Sequence, residues 1–188
     1  VGTGAGGTRH IAGTHQPLGQ LEQELADLHG KEASLLFTSG YVSNQTGIST
    51  IAKLIPNCLI LSDALNHNSM IEGVRQAGCE RQIFRHNDMA HLEELLIAAG
   101  PDRPKLIACE SLYSMDGDRA PLAELAALAN EADAWLMADD AHDLDFGNAA
   151  RAGCDPIVVV FNNAAWEMLR AFEPEAKFNA LPRWDFAS

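Results

Sequence analysis

Short apolar runs alternate with segments of helical period along most of this chain, and that alternation limits the folds open to it more than any other feature. The runs are "SLLF" (34–37), "CLIL" (58–61), "QIF" (82–84), "KLIAC" (105–109), "AWLMA" (134–138) and "PIVVVF" (156–161). Between them lie stretches such as "NDMAHLEELLIAAG" and "PLAELAALANEAD", whose apolar residues recur at the spacing of one helix face. Ahead of them, "PLGQLEQELADLHG" sets Leu18, Leu21, Leu25 and Leu28 on one stripe and closes on Gly30, a C-cap residue. Strands that are apolar throughout, alternating with helices, predict an α/β fold: a mostly parallel sheet with helices on both faces.

In such sheets ligands sit at the carboxyl ends of the strands. The segments to examine are therefore "TSGY", "SDALNHNS", "ESLYSMDGD", "DDAH" and "NNAAW", each following an apolar run. "DDAH" carries the strongest signal, because Asp139 and His142 follow a strand that reads as fully buried. A hard cation needs more oxygen ligands than this, and zinc needs three or four protein ligands. A carboxylate there can instead keep a pyridinium nitrogen protonated, which makes pyridoxal phosphate a candidate cofactor. His67 can stack on a planar ligand or shuttle a proton, while Ser114 lies beside an Asp-Gly turn. In "TSGYVSNQTG", Gly40 permits close backbone approach and Ser43 and Asn44 are candidate helix caps, a setting that suits a phosphate.

Other features carry less. "GTGAGG" has the GxGxxG glycines at Gly2, Gly4 and Gly7, but no strand precedes it, so a flexible glycine-rich loop is the better reading. Cys58, Cys79, Cys109 and Cys154 show no metal spacing and read as buried thiols. A net charge of -13 with scattered Lys and Arg argues against nucleic-acid or anionic-membrane surfaces. With 47% hydrophobic residues in 188, no apolar run long enough to span a bilayer and no signal-peptide pattern, the expectation is a cytoplasmic domain, or part of a larger enzyme.

Residues 1 to about 146 closely resemble the alpha-oxoamine synthases, pyridoxal-phosphate enzymes of fold type I. The resemblance runs through "GTGAGGTRHIAGT", "LADLHGKEASLLFTSGYVSNQTGIST", "LSDALNHNSMIEGVRQAGCE", "FRHND", "ESLYSMDGD" and "AWLMADDAH". Within that family the nearest likeness is to the branch that condenses glycine with succinyl-coenzyme A, losing carbon dioxide, to give the tetrapyrrole precursor 5-aminolevulinate. The resemblance implies backbone contacts from Gly40 and Tyr41 to the cofactor phosphate, and His67 stacked on the pyridine ring. It also implies Ser114 and His142 at the phenolic oxygen, Asp139 at the ring nitrogen, and Ser62 and Arg81 at the acyl-coenzyme A substrate. It further implies a homodimer with active sites at the interface.

Two departures qualify it. The family forms its Schiff base through a Lys in a Ser/Thr-x-x-Lys context, yet after Asp139 only Lys177 follows, in "EPEAKFNALPRW". From about 147 to 188 the chain instead resembles the cofactor domain of thiamine-diphosphate-dependent 2-oxoacid decarboxylases, with Asn162 and Asn163 at the end of the diphosphate and Mg²⁺ motif. The Gly-Asp-Gly that begins that motif is absent, so thiamine diphosphate is not the expected cofactor. The expectation is a truncated fold-type-I core over 1–146 joined to a helix-strand-helix segment over 147–188. It keeps a cofactor site but lacks the covalent anchor, with little or no synthase activity, or with binding and self-association as its remaining role.

Overall fold

A computed structural model describes residues 7–28, 31–140 and 157–160. The chain divides into two units, residues 1–43 and 44–188.

The first unit contains the short helix α1 (Arg9–Ala12) and the amphipathic helix α2 (Gln16–Leu28). Its "SLLF" run is not a strand. Leu35 is exposed, and the segment is tied to α2 instead: Leu36 N donates to Glu22 Oε1 at 2.8 Å and Ser34 Oγ to the Glu22 carbonyl at 2.6 Å. Arg9 completes this knot with a 2.6 Å ion pair to Glu22. A four-residue apolar run without a neighbouring strand leaves its backbone groups to whatever side chain reaches them, and here Glu22 does. Helix α3 (Gly40–Leu54) opens at the end of this unit. Ser39 Oγ accepts from Val42 N at 3.3 Å, so the cap is Ser39, while Ser43 and Asn44 lie inside the helix.

The second unit is the predicted parallel sheet. Its elements are β1 (Leu59–Asp63), α4 (Asn68–Ala77), β2 (Glu80–Phe84), α5 (Met89–Ala99), β3 (Lys105–Glu110), α6 (Leu122–Glu131), β4 (Trp135–Asp140) and β5 (Ile157–Val160). The strand order is β2-β1-β3-β4-β5, and every pairing is parallel. Of the inner strands, β1 and β3 are buried at every residue, which is why their sequences read as largely apolar runs. Alternate residues serve opposite faces. Leu59, Leu61, Ile107, Cys109, Leu136 and Ala138 pack with α5 and α6, whereas Ile60, Leu106, Ala108 and Met137 pack with α3 and α4.

The chain leaves β1 toward β2 and returns on the other side to β3. The order therefore reverses between β1 and β3, and loops leaving their carboxyl ends part in opposite directions and open a crevice. Edge strand β2 shows Arg81 and Ile83 to solvent. None of the described helices is long and apolar enough to cross a membrane.

Candidate functional site at the carboxyl ends of the strands

The loop after β1 is fixed at the switch point by its own polar residues. Asp63 Oδ1 accepts from Leu65 N at 2.8 Å, forming a tight turn. Asn66 donates from Nδ2 to Ser62 Oγ at 2.9 Å and to the Ala108 carbonyl at 2.8 Å, fastening this loop to β3. His67 then caps α4: its Nδ1 accepts from Ser69 N at 3.2 Å and lies 2.8 Å from Ser69 Oγ. Two donors converge on Nδ1, so it is the acceptor nitrogen and Nε2 carries the ring proton.

Glu110 closes β3, and the sequence reading overlooked it. Its carboxylate is buried, yet both oxygens are used: Oε1 accepts from His67 N and Oε2 from Ser114 N at 3.3 Å. One side chain thus sets the position of two predicted site residues. Burial pushes the Glu110 carboxyl above its ordinary range, and the two backbone N–H groups pull it partly back. Ser114 itself is exposed in the turn between β3 and α6. That turn is closed by the Tyr113 N to Asp118 carbonyl bond and by the Leu112–Arg119 bridge.

Asp139, near the end of β4, is 5% exposed, and its Oδ2 accepts from Asn44 Nδ2 at 2.8 Å. The other N–H of the same amide goes to Ser69 Oγ at 3.0 Å. Asp139 and His67, 72 positions apart in the chain, are therefore linked through two side chains, Asn44 and Ser69. His142, Asn162, Asn163, Lys177 and Cys154 lie outside the described residues, as does "GTGAGG" up to Gly6. Gly40 and Tyr41 are the first two residues of α3, the end of a helix whose N–H groups suit an anion. Ser62 and Arg81 share one face of the sheet but differ in access. Ser62 is buried, with its hydroxyl on Asn66 and on the Asp63 carbonyl, whereas Arg81 is exposed.

Beside this network stands a second one. His86 lies between two carboxylates, 2.9 Å from Asp63 Oδ1 through Nδ1 and 2.6 Å from Asp118 Oδ2 through Nε2, with its ring edge-on to Tyr113. Burial draws the imidazole down, but its hydrogen bonds to Asp63 and Asp118 outweigh burial and leave it raised. It pins the turn that carries Ser114 to the end of β1. Cys58 and Cys109 are buried and Cys79 half-buried, all as free thiols, and burial raises Cys109 far beyond the reactive range. Among the described residues no cluster of His, Cys, Asp and Glu could hold a metal ion.

The donor set suits a planar, nitrogen-containing ring with an acidic hydroxyl. It offers a buried carboxylate that accepts from the Asn44 amide, an imidazole fixed in one tautomer, and a serine on a pinned turn. Asn44 Oδ1 is a further sign, being buried without a hydrogen-bond partner among the described residues.

The aminotransferase class I and II family matches residues 3–161. The 5-aminolevulinate synthase of Bradyrhizobium diazoefficiens is 78% identical over 142 residues, which cover 76% of this chain and 35% of that protein. The enzyme of the same name from Paracoccus denitrificans is 46% identical over 178 residues, 92% of this chain and 44% of its own length. Among solved structures, serine palmitoyltransferase of Sphingomonas wittichii superposes with a TM-score of 0.73 at 31% identity, over 80% of this chain and 39% of its own. The S. paucimobilis serine palmitoyltransferase, with bound PLP and myriocin, gives 0.70 at 35% identity, over 75% of this chain and 35% of its own. The chain thus spans about a third to under half the length of these relatives.

Proposed function

We propose, since the chain belongs to the aminotransferase class I and II family, that it forms the pyridoxal-phosphate-holding part of an alpha-oxoamine synthase of the 5-aminolevulinate type. The whole enzyme would join glycine to succinyl-coenzyme A, in the cytoplasm and as a homodimer. The observation that carries the reading is the Asp139–Asn44–Ser69–His67 connection, which gathers a buried carboxylate and a fixed imidazole at the strand ends.

Bound there, pyridoxal phosphate supplies an electron sink for the carbon next to the glycine nitrogen. The residues of the chain do the rest. Asp139 would face the ring nitrogen and favour its protonated form. His67, the cap of α4, would stack on the ring. Ser114, its backbone fixed by Glu110, would address the phenolic oxygen, as would His142. The first N–H groups of α3, at Gly40 and Tyr41, would suit the phosphate. Arg81 is an exposed cation suited to the phosphates of coenzyme A, whereas Ser62, buried against Asn66, would act only through the loop it holds.

A covalent anchor is a different matter. Lys105 begins β3, five residues and roughly 16 Å along the strand from Glu110, and Lys53 lies nine residues down α3 from Asn44, roughly 13 Å. Both therefore sit at the opposite pole, and neither Lys31 nor Lys177 stands in the Ser/Thr-x-x-Lys context, so this chain is expected to hold the cofactor without a Schiff base and to make little or no 5-aminolevulinate. The test is to titrate the 188-residue protein with pyridoxal phosphate, reduce with borohydride and map the adduct by mass spectrometry. Saturable binding without a single trapped lysine is expected; one lysine trapped stoichiometrically would overturn the absence of an anchor, and no binding would overturn the site.

A further inference from the structure

We infer that Asn44 is the positioning residue of this site: its side-chain amide orients the Asp139 carboxylate and, through Ser69, locks the plane of His67. The inference rests on the pyridoxal-phosphate reading above and deepens it. Asn44 is fully buried one turn into α3, and both N–H bonds of its amide have acceptors, Asp139 Oδ2 at 2.8 Å and Ser69 Oγ at 3.0 Å.

The residue type matters. A carboxylate that must keep a ring nitrogen protonated has to be oriented without being neutralised. Lys or Arg at this position would pair with Asp139 and cancel the charge the ring needs, and a hydroxyl has one proton where two are needed. An amide has two donors at a fixed angle and no charge. Its orientation is also determined: turned over, it would set Oδ1 against the Asp139 carboxylate and lose that bond.

The link onward fixes the imidazole. Ser69 Oγ accepts from Asn44, so its own proton is directed to His67 Nδ1, 2.8 Å away, the nitrogen that also accepts Ser69 N–H. One amide thus sets the ring-nitrogen partner and the stacking partner in the same frame. The helices are built close enough for this. A Cβ on Gly73 would stand 3.0 Å from the Asn44 carbonyl oxygen and 3.0 Å from Ile48 Cβ, so glycine there lets α4 close on α3 at the level where the amide bridges them.

The test uses pyridoxine 5′-phosphate, which keeps the ring, phenol and phosphate but has no aldehyde and cannot react with lysines. Its absorbance reports protonation of the ring nitrogen, which is titrated with pH free and bound to wild type, Asn44→Ala, Asn44→Ser and Asp139→Asn, with circular dichroism confirming each fold. Wild type is expected to hold the proton to higher pH than the free compound. Asn44→Ala should remove about one unit of that upward shift, a roughly tenfold loss in proton affinity, and Asn44→Ser, which keeps one donor, about half of it. Should the alanine variant not fold, the serine variant is read alone. If Asp139→Asn abolishes the shift while both Asn44 variants keep it whole, the positioning role is wrong and the site stands. If wild type shows no shift, or does not bind the compound, the site reading falls and this inference with it.

Discussion

The two poles of the sheet bury polar groups in opposite ways. At the amino ends of the strands the buried cation Lys105 donates to three carbonyls, Gly100 at 2.9 Å, Pro101 at 3.3 Å and Arg103 at 2.7 Å. It closes the end of α5, and its three protons are all used. At the carboxyl ends, Asp63, Asn66, Glu110 and Asp139 are buried together, arranged by side-chain amides, backbone N–H groups and, at Asp63, the His86 imidazole. The Oδ1 atoms of Asn44 and Asn66 remain there without a hydrogen-bond partner among the described residues. A fully satisfied buried charge serves the fold, whereas acceptors gathered with capacity to spare serve a ligand.

That contrast can be broken from either side. Lys105→Met should have the largest effect on stability, about 2–3 kcal/mol, since it leaves three part-buried carbonyls without their donor. It should leave affinity for pyridoxine 5′-phosphate unchanged, which denaturant melts and a binding titration can check. Asp139→Ala should do the reverse, costing less stability but weakening that affinity by about 10- to 100-fold, the loss of one charge-assisted hydrogen bond. Gly73→Ala comes next, with a loss of about 1–2 kcal/mol as α4 is pushed off α3. A decline in affinity alongside it would tie helix spacing to the site.

The smallest effect concerns pH. His86 is raised, so the stability it contributes is whole below the ordinary imidazole value of 6.5 and fades as pH climbs through the raised one. Asp118 is lowered, chiefly by its hydrogen bond to His86, so its share is present above 3.8 and is lost as pH falls through the lowered value. Thermal melts of wild type and His86→Ala should therefore differ most between those limits and converge at alkaline pH.

Much of the fold was legible because buried parallel strands and amphipathic helices write their burial into local pattern. "SLLF" misled because a short apolar run says nothing about whether a neighbouring strand exists, and Glu22 occupied its backbone instead. The residues that meet ligand by resemblance, Asp139 and His67, follow strands and could be picked out. Asn44, Ser69 and Glu110 could not, because they act through contacts 25 to 95 positions apart. One trace of Asn44 existed: it shares a helical stripe with Ile48 and Ala52, and a polar residue inside an apolar stripe must find a buried partner.

The account turns on Asp139 being a buried carboxylate that grips a pyridine ring at the carboxyl pole. Calorimetric titration of the full 188-residue chain with pyridoxine 5′-phosphate, wild type against Asp139→Asn, tests this most directly. The account predicts one saturable site in the wild type, weakened at least tenfold in the variant, with both proteins folded. Equal affinity in the two, or no binding to either, would contradict it.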